Sequence, residues 1–125
     1  MAAHVWAVRL GFLDDEGTRG TLELGGSMLT FSPEGGSTEL SIPLSDIRRV
    51  RRAPGSPVLI VERSASAIAF YFVEPPPLRL RSEFSRKAKG RLRSISYLRG
   101  RNRTKREEVR EWLERIRNAV AGAGP

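Results

Sequence analysis

The sequence contains no cysteine and one histidine, His4. Without thiols there is neither a disulfide framework nor a thiolate metal site. A lone imidazole near a terminus, with no partner group beside it in the chain, is a poor general base and a poor metal ligand. Lysine is scarce as well, since 19 of the 22 basic residues are Arg. That bias favours bidentate contacts with phosphate or carboxylate, and a GC-rich genome would produce the same excess. Long apolar runs are missing: nothing approaches the roughly 18 residues of a membrane span. The opening MAAHVWAVRLGF lacks the charged segment and apolar core of an export signal. We therefore expect a cytoplasmic chain.

Catalytic constellations are also absent. No nucleophile, base and acid share a spacing that fits a reaction. Asp14, Asp15 and Glu16 form an acidic run but lack the ligand spacing of a calcium loop. The glycine-rich GGS and PEGGS stretches lack the lysine and the helix start of a phosphate-cradling loop. The expectation is a protein that is not an enzyme, with no catalytic residues, no metal ligands, no cofactor and no small-molecule substrate.

What is present fits one domain, residues 1–125, with 39% apolar and 29% charged residues. Charge is uneven along it. Residues 1–77 hold 7 basic and 9 acidic side chains, whereas residues 78–125 hold 15 basic and 5 acidic. The two parts do different electrostatic work.

Short alternating segments run through the first part. Trp6, Val8, Leu10 and Phe12 alternate over 4–12 and predict a half-buried strand with those side chains inward. Leu22 with Leu24, then Leu29 with Phe31, flank Gly25-Gly26-Ser27 as a hairpin. TELSIPL places Leu40, Ile42 and Leu44 inward, and Pro43 marks an edge or a strand end. Residues 47–52 form a strand with Arg48, Arg49, Arg51 and Arg52. VLIV at 58–61 is a short continuous apolar run consistent with a buried strand, and AIAFYFV at 67–73 puts Ile68, Phe70 and Phe72 together. These make seven strands.

Residues 104–121 read as an amphipathic helix. Val109, Trp112, Leu113, Ile116 and Val120 fall on one stripe. Thr104 and Glu107 have the spacing of a capping box, and Gly122 follows the end. Strands first and one helix last point to a mainly β domain with one C-terminal α-helix, its antiparallel sheet closed or nearly closed.

The segments GTLELGGSMLTF (20–31), IPLSDIRRV (42–50), PVLIVE (57–62), FYF (70–72) and EWLERI (111–116) together resemble the pleckstrin-homology (PH) superfold, in particular its small bacterial and GRAM-like members. The resemblance implies a PH-like seven-stranded antiparallel barrel or sandwich capped by the helix, used as a binding module. In lipid-binding members the headgroup is held by basic residues around the first two strands. Here that loop reads Leu13-Asp14-Asp15-Glu16-Gly17, which repels phosphate.

Positive charge gathers elsewhere. A basic insertion at about 75–103 separates the last strand from the helix, and residues 79–106 carry 12 Arg or Lys against one acid, Glu83. Its candidate anion-binding residues are Arg79, Arg81, Arg86, Lys87, Lys89, Arg91, Arg93, Arg99, Arg101 and Arg103. Phe84, Leu92, Ile95, Tyr97 and Leu98 lie among them, a mixture suited to an anionic membrane surface at about 1 kcal/mol per basic residue. Such a chain would be cytoplasmic and peripheral at the membrane. The alternatives are nucleic acid, with Tyr97 stacked on a base, and a protein partner on the exposed strands.

Overall fold

The computed structural model describes residues 1–10, 17–35, 38–54, 56–75 and 88–122, with the backbone alone for 88–104. Seven strands form in the expected places: β1 (Ala2–Arg9), β2 (Thr18–Leu24), β3 (Met28–Pro33), β4 (Leu40–Pro43), β5 (Ile47–Arg52), β6 (Val58–Arg63) and β7 (Ala67–Tyr71). They join in one sheet of order β4-β3-β2-β1-β7-β6-β5 with every pairing antiparallel. One helix, α1 (Ala88–Gly122), follows.

The connection between β4 and β5 fixes the shape. Strict alternation makes the two edge strands, β4 and β5, run in the same direction, so in a flat sheet the end of one lies far from the start of the other. Only the 3-10 turn Leu44–Asp46 joins them. Three residues span at most about 11 Å, so the sheet must coil until those two corners meet. Both halves then face a common interior.

That interior holds Val5, Leu22, Leu29, Phe31, Ile42, Leu44, Leu59, Val61 and Phe70 from the sheet, and Val109, Trp112 and Ile116 from α1. Leu113 and Val120 pack at its margin. The helix lies against β5, β6 and the 3-10 turn. It covers the side of the coil where β4 and β5 do not pair. A second cluster, Val8, Val58, Ile60 and Ala69, is buried on the outer face of β1, β7 and β6. Two clusters on opposite faces explain why all four residues of VLIV are buried.

Two expectations are corrected. On β1 the inward residues are Ala3 and Val5, not Trp6, Val8 and Leu10. Ala3 pairs with Leu22 and Val5 with Gly20, and directly opposed residues share a face. The register set by Leu22 therefore overrides the larger side chains of β1. Val8 serves the outer cluster, Leu10 is 38% exposed, and Phe12 lies outside the described residues.

The helix begins at Ala88, well before the start that Thr104 and Glu107 predict. Between Ala88 and Thr104 there is no proline; Gly90 and Gly100 are the weakest formers, and Ala, Lys, Leu and Arg make up more than half of the stretch. Extending a helix backward costs far less than nucleating one, so a cap-like pair inside good helix formers does not end it. Much of the stretch expected to be a connection is therefore helix.

Candidate anion-binding site

The four arginines of β5 divide into two pairs. At its C-terminal end, Arg51 Nε lies 3.5 Å from Glu62 Oε1, and Arg52 Nε donates to the Ser56 carbonyl at 3.2 Å. Both serve the β5–β6 hairpin. At its N-terminal end the register slips between Ile47 and Arg49, which pair with Arg63 and Glu62. The extra residue is Arg48. Such a bulge breaks the two-residue alternation, so Arg48 and Arg49 are exposed side by side between buried Ile47 and Val50. Among the described residues neither has an ion-pair partner.

Helix α1 brings a third guanidinium to the same place. Arg117 donates from Nε and Nη2 to the Val50 carbonyl, at 3.4 and 3.3 Å. Val50 belongs to an edge strand, so this bridge satisfies a carbonyl that has no strand partner on that side. Arg48, Arg49 and Arg117, with Val50, Val120 and Ala121, line a surface groove of about 320 Å³. Its lining holds three cations, three small apolar side chains and no acid.

Three of the other four described cations of α1, all but exposed Arg106, are engaged with acids of their own helix. Lys105 lies 3.3 Å from Glu108, Arg110 3.3 Å from Glu107, and Arg115 3.5 Å from Glu111. Exposed pairs of this kind stabilise a helix by only about 0.3–0.5 kcal/mol each, but they mask charge. Arg19, beside the first loop, lies 5.3 Å from the Trp6 ring centroid and 3.6 Å from Glu34.

Of the ten candidates drawn from the sequence, Lys89, Arg91, Arg93, Arg99, Arg101 and Arg103 lie on the backbone of α1, while their side chains fall outside the described residues. Arg79, Arg81, Arg86 and Lys87 fall outside them entirely, as do Asp14, Asp15 and Glu16. His4 is exposed on β1. Among the described residues no three His, Asp or Glu side chains gather as a metal site, and no helix is long and apolar enough to cross a membrane. Sequence reasoning missed the groove. Two successive arginines inside an alternating strand signal a bulge, but Arg117 comes beside them through the Val50 carbonyl, 67 positions away in sequence, which no local pattern reveals.

No protein-family model matches the chain, and a comparison with curated protein sequences gives no match. Solved structures do match. The N-terminal PH domain of human ARAP2 superposes with a TM-score of 0.58 at 16% identity, covering 97% of this chain and 80% of that domain. The chain has the PH-like fold. At this identity the likeness establishes architecture alone: the coiled seven-stranded sheet and its closing helix. The C-terminal domain of a Leishmania infantum protein is similar at a TM-score of 0.48 and 13% identity, over 68% of this chain and 75% of that one, a likeness too distant to carry argument. Within the PH-like fold, the groove of Arg48, Arg49 and Arg117 lies on the edge of β5 and α1.

Proposed function

We propose that this PH-like domain is a non-enzymatic binding module whose Arg-rich segment, residues 79–103, docks on an anionic membrane surface. The observation that carries the reading is the uneven charge: 15 basic against 5 acidic residues in 78–125, beside 7 against 9 in 1–77. The continuity of α1 adds to it. Positions 89–103 carry six Lys or Arg on one helix, along about 21 Å of axis at 1.5 Å per residue. A rod of charge that long meets several headgroups at once. Leu92, Ile95, Tyr97 and Leu98 in the same stretch supply apolar area for the interface.

The test is co-sedimentation with phosphatidylserine vesicles, set against phosphatidylcholine vesicles and a labelled oligonucleotide titrated over salt. Wild type should sediment with the anionic vesicles. Replacing Arg91, Arg93, Arg99, Arg101 and Arg103 with Ser should weaken that binding by more than about a hundredfold, since each basic residue near the surface contributes about 1 kcal/mol. Unchanged binding in this variant refutes the reading. Preference for the oligonucleotide, with affinity falling steeply as salt rises, transfers the same segment to nucleic acid.

A further inference from the structure

We propose that the groove between β5 and the end of α1 is a second anion site, which takes a phosphate monoester through Arg48, Arg49 and Arg117. None of its residues belongs to the Arg-rich segment, so the inference stands apart from the membrane reading.

The first argument is the way arginines are spent on β5. Arg51 and Arg52 have partners in their own hairpin, whereas the bulge turns Arg48 and Arg49 outward together. Neighbouring like charges repel, and an anion seated between them reverses the sign of that interaction. Arg117 supplies the second argument. Its two long bonds to the Val50 carbonyl, at 3.4 and 3.3 Å, draw the guanidinium toward β5, which lowers part of the ordering cost of binding. A guanidinium carries five N–H donors, and donors beyond those two bonds remain for phosphate oxygens.

The third argument concerns the ligand. A monoester dianion carries two negative charges or nearly so at neutral pH, a fair match for three guanidiniums. The groove is open, and Val120, Ala121 and Val50 give it apolar surface that a bare phosphate would not use. The fitting ligand is therefore a phosphate on a small apolar or ring-shaped body. The competing explanation is structural: cations near the last turn of α1 offset the negative end of its dipole. That role requires positive charge but no ligand, so saturable binding separates the two.

The experiment uses the full chain with phenyl phosphate as the free probe, followed by amide chemical shifts. Phosphatidic acid vesicles, compared with phosphatidylcholine vesicles, form a second arm, in the variant whose five segment arginines are replaced by Ser. Phenyl phosphate should saturate with a Kd on the order of 1 mM, in keeping with the efficiency open to so small a ligand. The shifts should centre on Arg49, Val50 and Ala121. Arg48→Gln with Arg49→Gln should weaken binding by more than about tenfold, because charge-assisted bonds are lost while exposed positions leave the fold intact. Arg117→Lys, which keeps the charge but not the fork, should weaken it less. Binding of vesicles without phenyl phosphate, lost in the double variant, assigns the phosphate to a lipid headgroup; binding of phenyl phosphate assigns it to a soluble monoester. Failure of wild type in both arms, or equal affinity in a folded Arg48→Gln/Arg49→Gln variant, overturns the proposal.

Discussion

Replacing Trp112 with Ala tests the element that closes the fold. Trp112 is 1% exposed and is the largest fully buried side chain among the described residues. It meets the ring of Phe72 edge-on, with centroids 6.2 Å apart and planes at 61°. Val109 and Ile116, both 0% exposed, flank it on the helix. Truncating a buried aromatic to Ala costs about 3–5 kcal/mol, because the lining relaxes only partly around the cavity. The edge-on pair with Phe72 adds about 0.5–1.5 kcal/mol of its own, which places Trp112→Ala near the upper end. A chain of 125 residues unfolds with an entropy of about 0.26 kcal/mol/K, so a loss of 4 kcal/mol lowers Tm by about 15 °C. Urea unfolding followed by circular dichroism reads the difference directly. Trp6, half-buried on the outer face of β1, remains as a fluorescent reporter in the variant. A ΔΔG below about 1 kcal/mol would mean that the helix does not plug the coil, and the packing argument would fall with it.

Gly20→Ala should destabilise by about 1–3 kcal/mol through overpacking: a Cβ there meets the Ser32 carbonyl oxygen at 2.4 Å, Phe31 Cζ at 2.7 Å and Pro33 Cα at 2.9 Å, two of them backbone atoms that cannot swing away. Thermal melts check it, and a Tm equal to wild type would show that β3 yields at that point. The inward face of β1 is checked by pairing Val5→Ala with Trp6→Ala in urea. Val5, 0% exposed, should cost about 1.5–3 kcal/mol, and the half-buried Trp6 should cost less despite its size; the reverse order would restore the Trp6 face to the core.

Much of this architecture was legible in the sequence because short strands advertise themselves twice, by alternation within and by turn residues between. Leu22, Leu29, Phe31, Ile42 and Phe70 all sit where the two-residue period puts them. The face of β1 was not legible for the same physical reason. Its core side chains, Ala3 and Val5, are small, and the signal is weighted by size, whereas the register is set by the neighbouring strand. The helix face was plain from the spacing of Val109, Trp112 and Ile116. Its start was not, because a capping pair is only a local preference and does not end a helix that a proline-free stretch upstream can extend. The Arg-rich segment stands out by composition. The groove does not, since it depends on a bulge and on a contact between residues 50 and 117.

A sheet with two free edges must keep other strands from pairing with them. The β4 edge does so by brevity, with four residues ending in Pro43. The β5 edge is longer and is guarded by α1 lying along it and by Arg117 occupying the Val50 carbonyl. Charge on this strand therefore has a protective use whatever the domain binds. Protection alone, however, does not require a bulge that turns two arginines outward together, since an alternating strand with one outward charge at every second position would repel a partner equally well. The bulge concentrates charge at one corner, beside the Arg117 guanidinium that bonds the Val50 carbonyl. Edge protection explains why β5 is basic, but not the placement of Arg48, Arg49 and Arg117 around one groove, and that remainder is what the phenyl phosphate titration tests.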